Sequence, residues 1–385
     1  MIPFNKPFLT GRELHYIQEA HAIGHLSGDG PFSRRCHEWL ERRIGCAKAL
    51  LTHSCTGALE MAAMLCDISP GDEVILPSFT FVSTANAFVL RGAVPVFVDI
   101  RTDTFNLDEK KVEAAITRRT KAIVPVHYAG IGCEMDTIID IARNRGLVVI
   151  EDAAQGVLSQ YKERPLGSIG QLAALSFHET KNVIAGEGGA LLINDSRFIE
   201  RAEIIWEKGT DRKKFFRGER DRYTWIDIGS SYLPSDINAA FLWAQLEHAD
   251  ETTARRRAIW NRYNDAFADL EREGLLRCPV VPEHCLPNAH MYHLLLNSTA
   301  YRTPFLEQLR SKGINALFHY VPLHSSPAGR KYGRVHGSME HTEDLSGRIV
   351  RLPLWLGIED RLNEVVATVS TELRALNRSR SSSHA

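Results

Sequence analysis

Between residue 50 and about residue 195, short apolar runs alternate with amphipathic stretches at the spacing of strand, crossover helix, strand. The pattern predicts strands at 72–76, 94–98, 122–126, 147–151, 173–177 and 190–193. Most are rich in Val, Ile and Leu without polar alternation, as strands buried on both faces of a parallel sheet require. The stretches 108–118 and 135–145 carry apolar residues at three- and four-residue steps with charges between them, so each can bury one face on the sheet. The expectation is an α/β fold with a large domain built on a mostly parallel central sheet.

After Tyr232 the texture changes. A long helix is predicted over 234–250, with Pro234 where a helix begins without losing a needed N–H, and a basic helical run follows at 252–273. The stretch 278–290 is rich in Pro and Asn, and the runs 291–296 and 316–320 read as strands of a second, smaller α/β layer. The chain therefore divides into a large domain, 1–250, and a small C-terminal domain, 251–377. The Ser- and Arg-rich tail 378–385 has no apolar anchor and is expected to be disordered.

Composition narrows the function. The 385 residues are 44% hydrophobic and 24% charged with a net charge of −1, which supplies no basic field for nucleic acid. No apolar run is long enough to span a membrane. The seven cysteines are odd in number and contain no CxxC pair, which argues against a disulfide framework or a zinc ribbon. The opening MIPFNKPFLTGRELHYIQ lacks the cationic patch and apolar run of a signal peptide, so a cytoplasmic location is expected and the Asn297 sequon is idle.

Three motifs carry chemistry. The strand predicted over 147–151 runs into Asp152-Ala153-Ala154-Gln155-Gly156, which puts a carboxylate at the carboxyl end of a parallel strand, where α/β sheets hold ligands. The strand at 173–177 runs into His178-Glu179-Thr180-Lys181-Asn182 and then a glycine turn, placing Lys181 on the same rim. Ser54-Cys55-Thr56-Gly57 opens an apolar helix whose free N–H groups and positive dipole end suit a phosphate. Alone, such an Asp caps a helix, such a Lys is solvated and such a Thr-Gly is an ordinary helix start. Together they are the anchor, pyridinium partner and amine that pyridoxal 5'-phosphate requires.

The wording of these motifs, together with Phe79-Thr80-Phe81-Val82-Ser83-Thr84-Ala85-Asn86-Ala87-Phe88, Pro125-Val126-His127-Tyr128-Ala129-Gly130 and Ser176-Phe177-His178-Glu179-Thr180-Lys181-Asn182, resembles the DegT/DnrJ/EryC1/StrS sugar aminotransferases over about residues 1–370. The resemblance implies fold type I of the pyridoxal phosphate enzymes. It implies Lys181 as the amine that bonds the cofactor and shuttles protons, Asp152 on the pyridine nitrogen, Gln155 on the ring hydroxyl, Phe81 against the ring face, and Thr56, Gly57 and Ser176 on the phosphate. It further implies a homodimer with shared active sites, and amino transfer from L-glutamate to C4 of a dTDP-linked 4-keto-6-deoxy sugar. Other keto sugars, other ring positions and a catalytically silent regulatory member stay open.

One position departs from the common pattern: where many members lend an Asn to the neighbouring subunit's phosphate, this chain has Ser231, within Gly229-Ser230-Ser231-Tyr232-Leu233. A hydroxyl there replaces a longer amide, directly or through water. His319 and Tyr320, in Phe318-His319-Tyr320-Val321-Pro322-Leu323-His324, match the family's loop facing the active site and are candidate substrate contacts. Arg34, Arg35, Lys208, Arg212 and Arg217 are candidate cations for nucleotide or donor carboxylate.

Other features dissolve on inspection. His21 and His25 lack a third metal ligand, Gly28-Asp29-Gly30 lacks both a preceding strand and the third glycine of a dinucleotide fingerprint, and His178-Glu179 lacks the second His of a zinc protease. No metal is expected. Cys55 reads as a space-filler beside the phosphate, and His127 as either a pocket residue or a satisfied buried histidine.

Overall fold

The computed structural model describes residues 1–381, with side chains as far as residue 377. In chain order its main strands are β1 (Lys48–Thr52), β2 (Glu73–Pro77), β3 (Val94–Val98), β4 (Thr120–Ile123), β5 (Val148–Asp152), β6 (Leu172–Ser176), β7 (Gly189–Ile193), β8 (Leu276–Arg277), β9 (Tyr292–Leu296), β10 (Arg334–Val335) and β11 (Ile349–Leu352). Eight of them form one sheet in the order β1-β7-β6-β5-β4-β2-β3-β10. Only β7 is reversed: it pairs antiparallel with β1 and with β6, and every other pairing in the sheet is parallel.

Both faces are covered, as the unbroken apolar strands foretold. Leu50, Ala174 and Leu191 pack under the helix Cys55–Leu65, while their neighbours Leu51, Ala173 and Leu192 point into a second core on the opposite face. This two-residue alternation with apolar groups on both sides is what a covered sheet demands. The β3 segment and the helix Met135–Arg145 occupy the predicted ranges.

The second layer is a three-stranded antiparallel sheet, β8-β9-β11. Its core stacks Tyr263 and Tyr292 at 5.0 Å and gathers apolar residues from the helices Ala249–Arg272, Thr299–Ser311 and Leu362–Ser381. Two segments cross the proposed division at residue 250. Ile2 is buried in this second core and its N–H donates to Gly313 O at 2.7 Å, while β10 leaves the layer to pair with the edge strand β3.

Three local expectations change. The helix after Tyr232 spans Asp236–Glu247, capped by Ser235, whose hydroxyl accepts from Asn238 N–H; Pro234 precedes the cap rather than opening the helix. Residues 316–320 are not a strand: only Leu317 pairs, through a two-bond bridge with Arg351. The helix Leu362–Ser381 takes up the first four residues of the tail expected to be disordered, and 382–385 lie outside the described residues.

The excursion of β10 is fixed by charge. Glu73, fully buried on β2, accepts from Arg334 at 3.0 and 2.8 Å, from Arg119 at 2.7 Å and from the Thr117 hydroxyl at 2.7 Å. The Arg334 bonds, more than offsetting burial, hold its carboxyl down at about 2. A folded-state pKa below the ordinary value contributes stability that is present above about pH 4.5 and lost as pH falls toward 2. Glu73→Gln should therefore cost about 2 kcal/mol near neutrality. The gap from wild type, measured by urea unfolding at a series of pH values, should close in the acid window; an unchanged midpoint at pH 7 would refute the latch.

Candidate active site

The carboxyl ends of β1, β6 and β5 meet at one edge because the reversed β7 sits between the first two. Thr52 of β1 and Ser176 of β6 both face Gly189, the first residue of β7. A Cβ on Gly189 would stand 2.4 Å from Cys55 N and from the Ser54 carbonyl carbon, so only glycine lets this strand pass the start of the helix Cys55–Leu65. Helix geometry leaves the N–H groups of Cys55 and Thr56 without intrahelical acceptors. The Gly57 N–H is already held by the Ser54 hydroxyl at 3.1 Å, which gives Gly57 a capping role. Thr56 and Ser83 share a hydroxyl contact of 2.7 Å above this helix start.

Asp152 ends β5 inside the protein. Its carboxylate accepts from the Thr84 hydroxyl at 2.7 Å and from Ala154 N–H at 3.2 Å, and it forms no ion pair among the described residues. Thr84 has one proton to give, so the 2.7 Å contact between Thr80 and Thr84 requires Thr80 to donate in turn. Burial raises the Asp152 pKa despite these bonds. A carboxylate so placed is completed by a buried cation.

Gln155 accepts from Ala129 N–H at 2.7 Å and donates to the Tyr320 hydroxyl at 2.9 Å. Tyr320 stacks on His319 at 3.7 Å, and His319 Nδ1 meets the Tyr128 hydroxyl at 2.7 Å. Lys181 follows β6 in a turn closed by its own N–H to His178 O at 2.9 Å. Its amine has no hydrogen bond or ion pair among the described residues, and burial lowers its pKa.

These groups converge. One cavity of about 620 Å³ is lined by Thr56, Phe81, Asp152, Gln155, Ser176, Lys181, His319 and Tyr320, a volume in the range of small-molecule sites. Gly57 lies behind this wall and Ser231 outside it: Ser231 is exposed on the segment that follows Glu207, to which it is bridged. His127 is the satisfied buried histidine, bonded to Glu151 at 2.8 Å and accepting from Cys133 N–H at 3.2 Å. Cys55 lines the cavity, and burial raises its thiol pKa well above the usual value, as befits a filler.

The cations expected from sequence do not reach the cavity. Arg34 donates to Asp29 O, Arg35 pairs with Glu19, Lys208 and Arg212 with Glu207, and Arg217 with Glu203 and Glu219. The arginines that line it are Arg256 and Arg351, joined by His290. Nothing in their local sequence marks them; pairing of β9 with β11 is what turns Arg351 inward. Thr84 was also missed, although its place one helical turn after Thr80 was a usable signal.

The site fits pyridoxal phosphate on its own chemistry: an open helix start for the phosphate, a buried carboxylate lacking a cation for the ring nitrogen, and an unpaired amine beside them. Residues 8–370 match the DegT/DnrJ/EryC1/StrS aminotransferase family. The chain belongs to that family. It is 33% identical over 377 residues to the spore coat polysaccharide biosynthesis protein SpsC of Bacillus subtilis, covering 96% of each chain. Its structure is similar to that of the aminotransferase TlmJ from Streptoalloteichus hindustanus, with a TM-score of 0.89, 30% identity, and 98% and 100% of the two chains covered. It is also similar to the PLP form of the putative sugar aminotransferase Spr1654 from Streptococcus pneumoniae, with a TM-score of 0.87, 26% identity, and 97% and 99% covered. The family member described here is a fold type I, pyridoxal phosphate-dependent sugar aminotransferase.

Thr84→Val removes one of two donors that favour the ionised Asp152. The carboxyl pKa should rise further, moving the acid limb of cofactor binding to higher pH by about one unit. Titration of the apoprotein with pyridoxal phosphate across pH checks this; an unmoved limb would show that the hydroxyl does not tune Asp152.

Proposed function

We propose that this aminotransferase moves the amino group of L-glutamate to C4 of dTDP-4-keto-6-deoxy-D-glucose, giving dTDP-4-amino-4,6-dideoxy-D-galactose and 2-oxoglutarate. The observation that carries amino transfer is the convergence of an unpaired lysine amine, a buried carboxylate and a helix start on one cavity. The donor and acceptor rest on the similarity of the cofactor motifs to those of 4-amino-4,6-dideoxygalactose transaminases. The name of the Bacillus subtilis relative, a polysaccharide biosynthesis protein, supports a role in sugar assembly.

Pyridoxal phosphate, when bound, supplies a carbonyl that captures amines and a ring that spreads the electron pair left by a departing proton. Each residue then has a defined task. Asp152 would hold the ring nitrogen protonated, which would keep the ring electron-poor, and Gln155 and Phe81 would hold the ring by its hydroxyl and by stacking. The N–H groups of Cys55 and Thr56, with the hydroxyls of Thr56 and Ser176, would hold the phosphate. Lys181, its neutral form favoured by burial, takes the proton from the α-carbon of glutamate and in the second half-reaction delivers one to C4 of the sugar. His319 and Tyr320 contact the sugar from the 318–324 loop.

We also propose a cytoplasmic homodimer, with domains dividing near residue 250. The segment 216–228 exposes Phe216, Tyr223, Trp225, Ile226 and Ile228, with Trp225 77% exposed. So many large apolar side chains in one stretch mark an interaction surface. Ser231 follows this stretch and is exposed, so with the surface covered by a second copy its hydroxyl would be the group to meet the neighbouring subunit's cofactor phosphate. The seven cysteines are all free, which suits a reducing compartment.

The test is the absorbance of the bound cofactor in wild type and Lys181→Ala, with L-glutamate and then the keto sugar. The wild-type spectrum should change with glutamate and revert with the sugar, while the variant's turnover falls at least about 1,000-fold. A spectrum that glutamate changes but this sugar does not restore would replace the acceptor; no change with glutamate would remove the donor. Separately, Trp225→Glu should halve the mass seen by light scattering and weaken cofactor retention; a wild type that is already monomeric and active would end the shared-site proposal.

A further inference from the structure

The active-site cavity is rich in donors and poor in fixed acceptors. Lys181 brings its amine, and Arg256 and Arg351 line the same wall without a carboxylate partner among the described residues. Arg256 donates to Ala289 O at 3.1 Å and His290 O at 2.7 Å. Arg351 donates to Phe318 O at 3.1 and 3.0 Å and lies 4.6 Å from the Phe4 ring centre. Of the two carboxylates on the wall, Asp152 faces the place of the ring nitrogen, and Glu187 is mostly exposed at the rim. Ser, Thr and Tyr hydroxyls can turn either way. A sugar hydroxyl sheltered from water has a proton to give and needs an acceptor that is always one.

His290 supplies it, and the surrounding hydrogen bonds fix its state. The Asn288 backbone carbonyl can only accept, so the Asn182 atom that meets it at 2.8 Å is the amide nitrogen. The other end of that amide is then the oxygen, which can only accept, and it faces His290 Nδ1 at 3.3 Å. Nδ1 therefore carries a proton. Burial, with the positive charges of Lys181, Arg256 and Arg351, holds the ring's pKa well below its ordinary value, so it carries only that one near neutral pH. Nε2 keeps its lone pair, has no protein partner among the described residues, and is not sealed from the cavity that His290 lines. The backbone is held as well: His290 N–H donates to Asn288 Oδ1 at 3.0 Å, and its carbonyl accepts from Arg256. His319 differs, since it meets the Tyr128 hydroxyl, which can give or take a proton, and its tautomer stays open.

We propose that His290 Nε2 accepts a hydrogen bond from the C3 hydroxyl of the keto sugar, and so selects acceptors with a hydroxyl beside the reacting carbonyl. This inference rests on the 4-keto sugar reading above. Lys181 must reach C4 to deliver its proton, and of the charges acting on His290 that of Lys181 is felt most strongly, so Nε2 opens close to the atoms around C4. C4 of a 4-keto-6-deoxyhexose has two carbon neighbours. C5 carries the ring oxygen and a methyl group, neither of which can donate, whereas C3 carries a hydroxyl. A lone pair beside C4 therefore finds one donor on the sugar. A fixed acceptor attracts that hydroxyl and offers nothing to a sugar with a second carbonyl or a bare methylene at C3. Holding C3 also sets which face of C4 meets the Lys181 amine.

The experiment compares two sugars within each enzyme. Holoenzyme loaded with the amino group by glutamate is mixed with dTDP-4-keto-6-deoxyglucose or with the same nucleotide sugar lacking the C3 hydroxyl, and return of the cofactor spectrum is timed. In wild type, loss of the hydroxyl should slow the reaction at limiting sugar at least about tenfold. In His290→Leu and His290→Phe the parent sugar should slow by a similar factor, and the two sugars should agree within about twofold. Because the ratio is read inside one enzyme, either variant that still holds cofactor suffices. A wild type that treats both sugars alike overturns the proposal. So do variants slowed equally with both sugars, which would make His290 a structural support only. If glutamate loads the wild type but the parent sugar does not discharge it, the acceptor reading falls and this inference with it, while amino transfer stands.

Discussion

A carboxylate buried without a cation is the constraint around which this molecule is arranged. Among the described residues Asp152 accepts hydrogen bonds only from the Thr84 hydroxyl and the Ala154 N–H, and burial penalises its charge. In an ordinary core such a group would be replaced or paired. It persists here because three other features share its edge of the sheet: the helix start at Cys55, the lysine turn after β6 and the Gln155 loop. That edge exists because β7 alone is reversed, which sets β1 parallel to β6 and aligns their ends across Gly189.

Besides the Gln155–Tyr320 and Tyr128–His319 bonds, one buried side chain ties the second layer to this edge at several points. Asn288, fully buried, donates to Gln155 O at 2.9 Å and Val157 O at 2.8 Å, and its carbonyl oxygen accepts from His290 N–H at 3.0 Å. Its backbone C=O accepts from Asn182, next to Lys181, at 2.8 Å. The turn that carries His290 into the cavity is thus bonded to the segments holding both Gln155 and Lys181. Gly130, with φ +79°, completes the fit, since a Cβ there would stand 2.2 Å from the Asn288 carbonyl oxygen. Displacing any one of these segments breaks hydrogen bonds in a place water does not reach, which is why the catalytic edge is stiff although it is made of loops.

What was legible in the sequence follows from range. The strand β3 and the helix Met135–Arg145 are set by local periodicity, and their boundaries could be read directly. Asp152 and Lys181 were legible because each follows a strand in a motif whose chemistry is distinctive. The pairing of β1 with β7 and the two-residue β10 were not, because both depend on tertiary partners: Gly189 at the cradle in one case, the Glu73 ion cluster in the other. The run 316–320 reads as a strand from its sequence, but its side chains serve the cavity, with Leu317, His319 and Tyr320 on its wall and Phe318 exposed. Of the five cations expected to meet substrate, Arg35, Lys208, Arg212 and Arg217 are held by acidic side chains and Arg34 by a backbone carbonyl, partners that only the tertiary fold reveals.

Arg351 shows why an unsatisfied charge is the better signal. An arginine paired with Asp or Glu gains stability from the pair and loses its attraction for other anions, as Arg101 does between Asp103 and Glu109. A guanidinium held by a carbonyl dipole and an aromatic face remains a net cation, at some expense to the folded state. Such an expense is tolerated where it does something for a ligand, and this one is paired with the complementary expense at Asp152, a net anion in the same cavity. A charge left in this state would be answered by a ligand that brings the opposite one, as a protonated ring nitrogen would do for Asp152. Had the fold joined Asp152 to Arg351 directly, the two charges would answer each other, and Asp152 would attract a cationic ligand less strongly.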